Sequence, residues 1–311
     1  PPMSQALPFI VLWVAGLALW CQPTAASALP GSHRWGHRRP PAWAVAWLLA
    51  WGLAWSGGLL DARGALPILG CIGLSTWWHA AARRHQGTWV GALMPWLIGA
   101  LALALALHAV PGVHNPLVLD GVQWRPGDPA FSLRASFDKA CAGLMLLATV
   151  VPRALAPGAN LRWAPPTALA ACLTTAGALC LAWASGLTEP ARTWPQVPGR
   201  PDALPLFLLL NLFVTCVAEE AFFRGLLQSA LARRCAPWGA PGLAAAIALP
   251  AFLFGLAHLG GGPLMAALAT WVGLGSGWAL ARTARIEAAV IVHFAVNATH
   301  LLAFTYPARM A

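Results

Sequence analysis

The sequence has very little charge for its length. Charged residues make up only 9% of the 311 residues, and Asp and Glu together number nine, whereas hydrophobic residues make up 59%. A soluble domain of this size cannot bury so much apolar surface. The composition therefore excludes an ordinary soluble protein and predicts a polytopic membrane protein.

Lysine is almost absent, although the chain is strongly basic. Lys139 is the one lysine among nineteen basic residues, and the formal net charge is +10. Such an excess could indicate nucleic-acid binding. The arginines, however, lie in short breaks between apolar runs, where they orient membrane helices, so we predict no nucleic-acid partner.

Arginine in place of lysine, with abundant Ala, Gly, Pro and Trp, indicates a GC-rich bacterial genome and hence a bacterial inner membrane.

Long apolar runs recur along the whole chain. A spanning helix needs about 20 mainly apolar residues, and the breaks between the runs are rich in Pro, Gly and Arg. The odd-numbered loops contain eleven arginines and the even-numbered loops five, which puts the odd loops in the cytoplasm and both termini outside. We predict an all-α polytopic bundle of about ten transmembrane helices, at 5–22, 41–60, 64–82, 88–110, 138–156, 165–186, 203–226, 241–259, 263–281 and 286–306.

The polar residues divide the chain into three regions. Residues 1–110 have no acidic residue inside a predicted span and are expected to form accessory transmembrane helices. Residues 111–137 are the longest polar break and, on the charge argument, an extracytoplasmic loop. Its last part, 131–137, is interpreted as an amphipathic run along the membrane surface. Residues 138–311 contain the intramembrane polar residues.

The seventh predicted span places charge within hydrocarbon, where it is costly. Glu219 and Glu220 are adjacent, and Arg224 follows Glu220 by four residues. Residues four apart share a helix face, so we expect an ion pair between Glu220 and Arg224 that lowers the cost of burying both. Glu219 points about 100° away. A desolvated carboxyl group suits a general base that must also act as an acid. The alternative is a purely structural acid pair with an arginine.

Two later spans carry polar residues at the same spacing. Phe254 precedes His258 by four residues, and His293 precedes Asn297 by four. An imidazole and a carboxamide that face hydrocarbon must find partners. They could form a site, or His258 could be interfacial while the later pair bonds to neighbouring helices.

Together the three segments resemble the CAAX prenyl endopeptidase family of glutamate-type intramembrane proteases, also called CPBP or Abi. The motifs are Glu219-Glu220-x-x-x-Arg224, Phe254-x-x-x-His258 and His293-x-x-x-Asn297, and the resemblance covers about 200–306. It implies an endopeptidase that needs no cofactor and cuts near the membrane surface. The implied partners are the lipid bilayer and a membrane-anchored or C-terminally tagged protein or peptide substrate.

The resemblance implies a catalytic role for four residues. Glu219 would activate a water molecule, and His258 would help to hold or deprotonate it. His293 and Asn297 would donate hydrogen bonds to the oxyanion of the tetrahedral intermediate, where one donor is worth about 3 kcal/mol. Peptide hydrolysis by this route needs a base, a water and an oxyanion partner, but no serine or cysteine.

The resemblance also implies a supporting role for three residues. Glu220 and Arg224 would brace the site, and Phe254 would pack beneath it. On this basis, 138–311 is expected to be a CAAX-protease-like intramembrane catalytic domain.

Three other interpretations stay open. Glu219, Glu220, His258 and His293 offer nitrogen and oxygen ligands that zinc accepts, although the sequence contains no His-Glu-x-x-His pair. The same groups could be the proton relay of a proton-coupled transporter. The chain could also be a non-catalytic membrane scaffold, in which case a Glu219→Gln change would have no effect.

Overall fold

The computed structural model describes residues 3–21, 40–151 and 161–308. Contacts divide the chain into two compact units, Pro1–Pro116 with Ala135–Asn160, and Leu117–Arg134 with Leu161–Ala311. The helix that begins at Phe137, which the sequence groups with the C-terminal region, lies in the first unit. The functional division into accessory helices and a catalytic domain stays a prediction.

The first unit is helical throughout its described elements. Asp61 caps the N-terminus of one helix by accepting hydrogen bonds from the backbone N–H groups of Arg63 and Gly64, and Thr88 caps another. Trp43 and Trp47, part of a tryptophan repeat at four-residue spacing, are fully buried. The helices are α1 (Met3–Cys21), α2 (Ala42–Ser56), α3 (Ala62–Ala81), α4 (Trp89–Ala106) and α5 (Phe137–Thr149).

The second unit contains the three motif segments. It begins with a strand pair and a helix, continues through a long irregular helical run, and ends with three helices, of which the middle one packs against both of the others. Its elements outside the irregular run are β1 (Leu117–Val122), β2 (Phe131–Arg134), α6 (Ala164–Ala184), α10 (Gly239–Ala257), α11 (Pro263–Thr283) and α12 (Ile286–Ala303).

The irregular run alternates between α-helical and π-helical geometry. Short π-helical segments are rare and occur often at functional sites. Glu219 and Glu220 lie in the short α-helical piece between the two π segments. The run consists of α7 (Ala203–Leu210), the first π segment (Asn211–Cys216), α8 (Val217–Glu220), the second π segment (Ala221–Gln228) and α9 (Ser229–Cys235).

A turn reverses the chain between α9 and α10. The 55 residues Ala203–Ala257 form a continuous helical segment that contains an apolar window. A straight helix of that length would extend roughly 80 Å, far beyond the ~30 Å hydrocarbon layer. The 3₁₀ turn Ala236–Trp238 and Gly239, whose φ is +60°, interrupt it. Glycine adopts positive φ without a steric cost. α10 therefore packs back against α9.

The all-α membrane class agrees with the structure, but the count of about ten spans is not confirmed. Among the described residues, five segments are long and apolar enough to cross a membrane, and α1 and α2 contain shorter apolar stretches. α5 is too short, because its 13 residues extend roughly 20 Å. Polar residues lower the mean hydropathy of α3. The five segments are Trp89–Ala106, Ala164–Ala184, Ala203–Ala257, Pro263–Thr283 and Ile286–Ala303.

The strand pair replaces the amphipathic run expected at 131–137. β1 and β2 pair antiparallel, with Leu117 opposite Arg134 and Val122 opposite Phe131. The expectation is wrong because Phe131–Arg134 forms backbone hydrogen bonds to β1, and α5 begins only at Phe137.

Between the strands, Arg125 binds the C-terminal end of α12. Its buried guanidinium donates to the carbonyl oxygens of Leu301, Leu302 and Phe304 at 2.7, 2.9 and 2.9 Å, and to that of Thr193 at 2.6 Å. The last carbonyls of a helix have no partners within the helix, and a cation is favoured there. Arg125 thus fixes the end of the helix that carries the third motif.

Candidate active site

Glu220 is one of the two fully buried charged groups of the site. Its side chain is fully buried, with Oε2 3.2 Å from Arg224 Nε and Oε1 2.9 Å from His293 Nδ1. The structure thus contains the expected ion pair, and it adds a contact to the third motif that spacing alone did not predict. Because a carboxylate accepts, His293 donates from Nδ1, and Nε2 of a neutral ring is then an acceptor.

Arg224 is also fully buried. Its guanidinium carbon lies 4.6 Å from the centre of the Phe254 ring and 5.7 Å from that of Phe223. A cation over a ring face is attracted by the ring quadrupole. Space for the group comes from Gly273 in α11, where an added Cβ would lie 2.9 Å from Arg224 Nη2.

Glu219 is the more accessible of the two carboxylates. Its side chain is 18% exposed, and its Oε2 lies 3.9 Å from His293 Nε2. The two nitrogens of His293 therefore face two different carboxylates, Nδ1 towards Glu220 and Nε2 towards Glu219.

Phe254 packs between the two histidines of the motifs. Its ring meets His258 and His293 edge-on, at centroid distances of 4.5 and 5.5 Å. His258 follows the last residue of α10 and donates from Nδ1 to the Phe254 carbonyl oxygen at 2.8 Å. This bond fixes the tautomer of a neutral His258 ring and leaves its Nε2 as an acceptor.

Asn297 contacts the first π segment. Its Nδ2 donates to Asn211 Oδ1 at 3.3 Å and lies 3.8 Å from Cys216 Sγ. One turn further along α12, His300 Nε2 is 3.2 Å from the Thr305 carbonyl oxygen. The sequence did not single out Asn211.

A cavity of about 110 Å³ opens beside these groups. Four polar side chains line it, His258, His293, Asn297 and His300, whereas Glu219 is not among its lining residues. The rest of the wall is apolar and comes from α6, α10, α11, α12 and the C-terminal segment: Ala178, Leu179, Ala182, Phe254, Met265, Leu268, Ala269, Val272, Val296 and Ala308. Such a wall keeps the dielectric low and strengthens electrostatic interactions with a bound group.

The seven residues of the three motifs therefore form one connected set. His293 joins both carboxylates, Phe254 joins both histidines, and the cavity joins Asn297 to the imidazoles. The cavity offers ring nitrogens and an amide N–H, and the Glu219 carboxylate reaches the set through its 3.9 Å contact with His293 Nε2. These are the kinds of group that water-mediated acyl transfer requires.

The four alternative zinc ligands do not form a ready-made group. Among residues 3–21, 40–151 and 161–308, no three His, Cys, Asp or Glu side chains are grouped so as to hold a metal ion. The Nδ1 atoms of His258 and His293 are engaged by a carbonyl oxygen and by Glu220.

Sequence reasoning missed Asn211 and Gly273. A polar residue inside an apolar span is a functional hypothesis in its own right, so Asn211 carried a signal that was not used. Gly273 carried none, because its importance depends on a contact with Arg224, which lies 49 positions earlier.

Comparison with known families supports the resemblance. Residues 201–299 match the family model described as type II CAAX prenyl endopeptidase Rce1-like. The match covers about a third of the chain and includes all three motifs. No curated protein and no solved structure matches the chain.

Proposed function

Given that residues 201–299 match the Rce1-like family, we propose that this integral membrane protein is an intramembrane endopeptidase. It hydrolyses a peptide bond near the membrane surface of a membrane-anchored or C-terminally tagged protein. One observation carries the proposal: His293 lies between Glu219 and Glu220 and lines a cavity shared with His258 and Asn297.

Glu219 is the general base of the proposed reaction. It is more accessible than Glu220, which is fully buried against Arg224. Glu219 takes a proton from water, and the resulting hydroxide attacks the carbonyl carbon of the substrate. His258, with Nε2 as an acceptor, helps to hold the water. When the tetrahedral intermediate collapses, the C–N bond breaks and Glu219 returns the proton to the leaving amine.

Asn297 and His293 stabilise the oxyanion of that intermediate. Asn297 donates from Nδ2. His293 already donates its Nδ1 proton to Glu220, so it can donate to the oxyanion only from Nε2 of a doubly protonated ring. Donors fixed in place before the reaction cost no reorganisation during it, and each is worth about 3 kcal/mol.

Glu220 and Arg224 hold His293 in position. The Glu220 carboxylate fixes the ring orientation through Nδ1, and Arg224 balances the carboxylate charge within the apolar interior. Phe254 supports the assembly because it packs against both imidazoles and the guanidinium. We place this site in a bacterial inner membrane, with both chain termini outside.

Incubation of the purified protein in detergent with membrane-anchored peptides tests this proposal. We expect new peptide termini by mass spectrometry, with activity retained after chelator treatment. Activity that vanishes with chelator and returns with zinc would support the metal alternative. Proton flux in liposomes without cleavage of any peptide would support the transporter alternative and contradict the proposal.

A further inference from the structure

We propose that Asn211 is a positioning residue that orients the Asn297 amide toward the oxyanion. Asn211 Oδ1 accepts two hydrogen bonds at 3.3 Å, one from Asn297 Nδ2 and one from the Cys216 thiol. Two donors from different helical elements thus meet at one carbonyl oxygen. The proposal rests on the function proposed above, in which Asn297 is an oxyanion donor.

The first π segment creates this arrangement. Asn211 is its first residue and Cys216 its last, and the five-residue separation is the hydrogen-bond repeat of a π-helix. The wider turn brings the Cys216 side chain beside Asn211. α12 packs against the same segment, so the shared oxygen faces Asn297. An uninterrupted α-helix would place residues four apart, rather than five, on one face.

The chemistry of the amide explains why orientation matters. Asn297 Nδ2 carries two hydrogens, and the neighbouring Oδ1 only accepts. The terminal torsion of asparagine is broad and nearly two-fold, so the amide can turn by about 180° at little cost. Turned that way, it presents an acceptor to the oxyanion and repels it. The bond from Nδ2 to Asn211 Oδ1, with Cys216 Sγ 3.8 Å from the same nitrogen, selects the other orientation, in which an N–H can serve the cavity that Asn297 lines.

A double-mutant cycle on kcat tests the coupling. We expect Asn211→Ala to lower kcat by about 10-fold with little change in KM, because the lost interaction is made only in the transition state. In an Asn297→Ala background the same change should have almost no further effect. Asn211→Asp keeps the accepting oxygen and should restore part of the lost kcat. Thr215→Ala, in the same π segment, is the control and should stay within about twofold of the parent.

The outcomes separate this proposal from the proposed function. An equal fall in kcat in both backgrounds, or no fall at all, overturns the role of Asn211 while cleavage itself stands. Normal cleavage by Asn297→Ala removes both the oxyanion role of Asn297 and the coupling.

A spectroscopic measurement tests the contact without a substrate. In protein labelled with ¹⁵N-asparagine, the Asn297 side-chain signals are assigned by their loss in Asn297→Ala. We expect one of the two N–H signals to be protected from exchange and to lose that protection in Asn211→Ala but not in Thr215→Ala. Equal protection in both variants would refute the bond.

Discussion

Gly273 offers a sharp test of how the site is packed, because the expected effect follows from distances. In Gly273→Ala the new Cβ would lie 2.8 Å from Ala251 Cα in α10 and 2.9 Å from Arg224 Nη2. Ordinary contacts to a Cβ begin at 3.4 Å, so the first of these is about 0.6 Å too short. Ala251 Cα belongs to the backbone and cannot turn aside. The two helices must separate, or Arg224 must leave the face of Phe254.

Both responses have a predictable magnitude. Overpacking of a tight interior costs about 1–3 kcal/mol, so the melting temperature of the purified protein should fall. A displacement near 1 Å at a catalytic group can cost about 100-fold in rate. With a shift of about 0.6 Å, we expect kcat to fall by about 10-fold or more.

The matched control is the same substitution where space is open. A Cβ added at Gly73 in α3 would meet nothing within 4 Å. Since alanine favours a helix over glycine by about 0.5–1 kcal/mol, Gly73→Ala should be neutral or slightly stabilising. If Gly273→Ala matches Gly73→Ala in both melting temperature and kcat, the packing account of Arg224 is refuted.

Two further predictions concern buried charge. Glu220→Gln leaves the Arg224 charge without its carboxylate and should lower the free energy of unfolding by about 3–5 kcal/mol. Calorimetry in detergent should show that the double variant Glu220→Gln/Arg224→Met regains much of the lost stability. A double variant less stable than Glu220→Gln would contradict this prediction. Arg125→Ala removes the partner of three carbonyls at the end of α12 and should lower the free energy of unfolding by about 3 kcal/mol. The same change at the exposed Arg192 should have almost no effect. Equal melting temperatures for the two variants would refute the role of Arg125 in holding the end of α12.

Local spacing predicted one contact of the candidate site, the ion pair between Glu220 and Arg224. Residues four apart on a helix share a face whatever surrounds them, so the Glu220–Arg224 ion pair could be expected from sequence. The order of the three motifs then pointed to a shared site. The contact between Glu220 and His293 was not predictable in this way, since the two residues lie 73 positions apart.

Elements that depend on distant partners were predicted poorly. Hydropathy suggested a span at 138–156, but the helix there ends at Thr149. The strand pair depends on hydrogen bonds between two segments, and no local pattern in the sequence predicted these bonds. The π segments rotate later side chains relative to a regular helix, so the face reached by Asn211 could not be derived from a 100° repeat.

The predicted membrane orientation stays a prediction. Much of its charge argument depends on arginines outside the described residues, in the first loop and after α5: Arg34, Arg38, Arg39 and Arg153.

The most direct test of the central claim is the rate of peptide cleavage by Glu219→Gln. The change keeps the shape of the side chain and removes the base, so we expect kcat to fall by about 10³-fold with normal folding. Glu189→Gln, the same change at an exposed position outside the helices, should leave kcat unaltered. Equal cleavage by Glu219→Gln and Glu189→Gln would contradict the assignment of Glu219 as the residue that activates water.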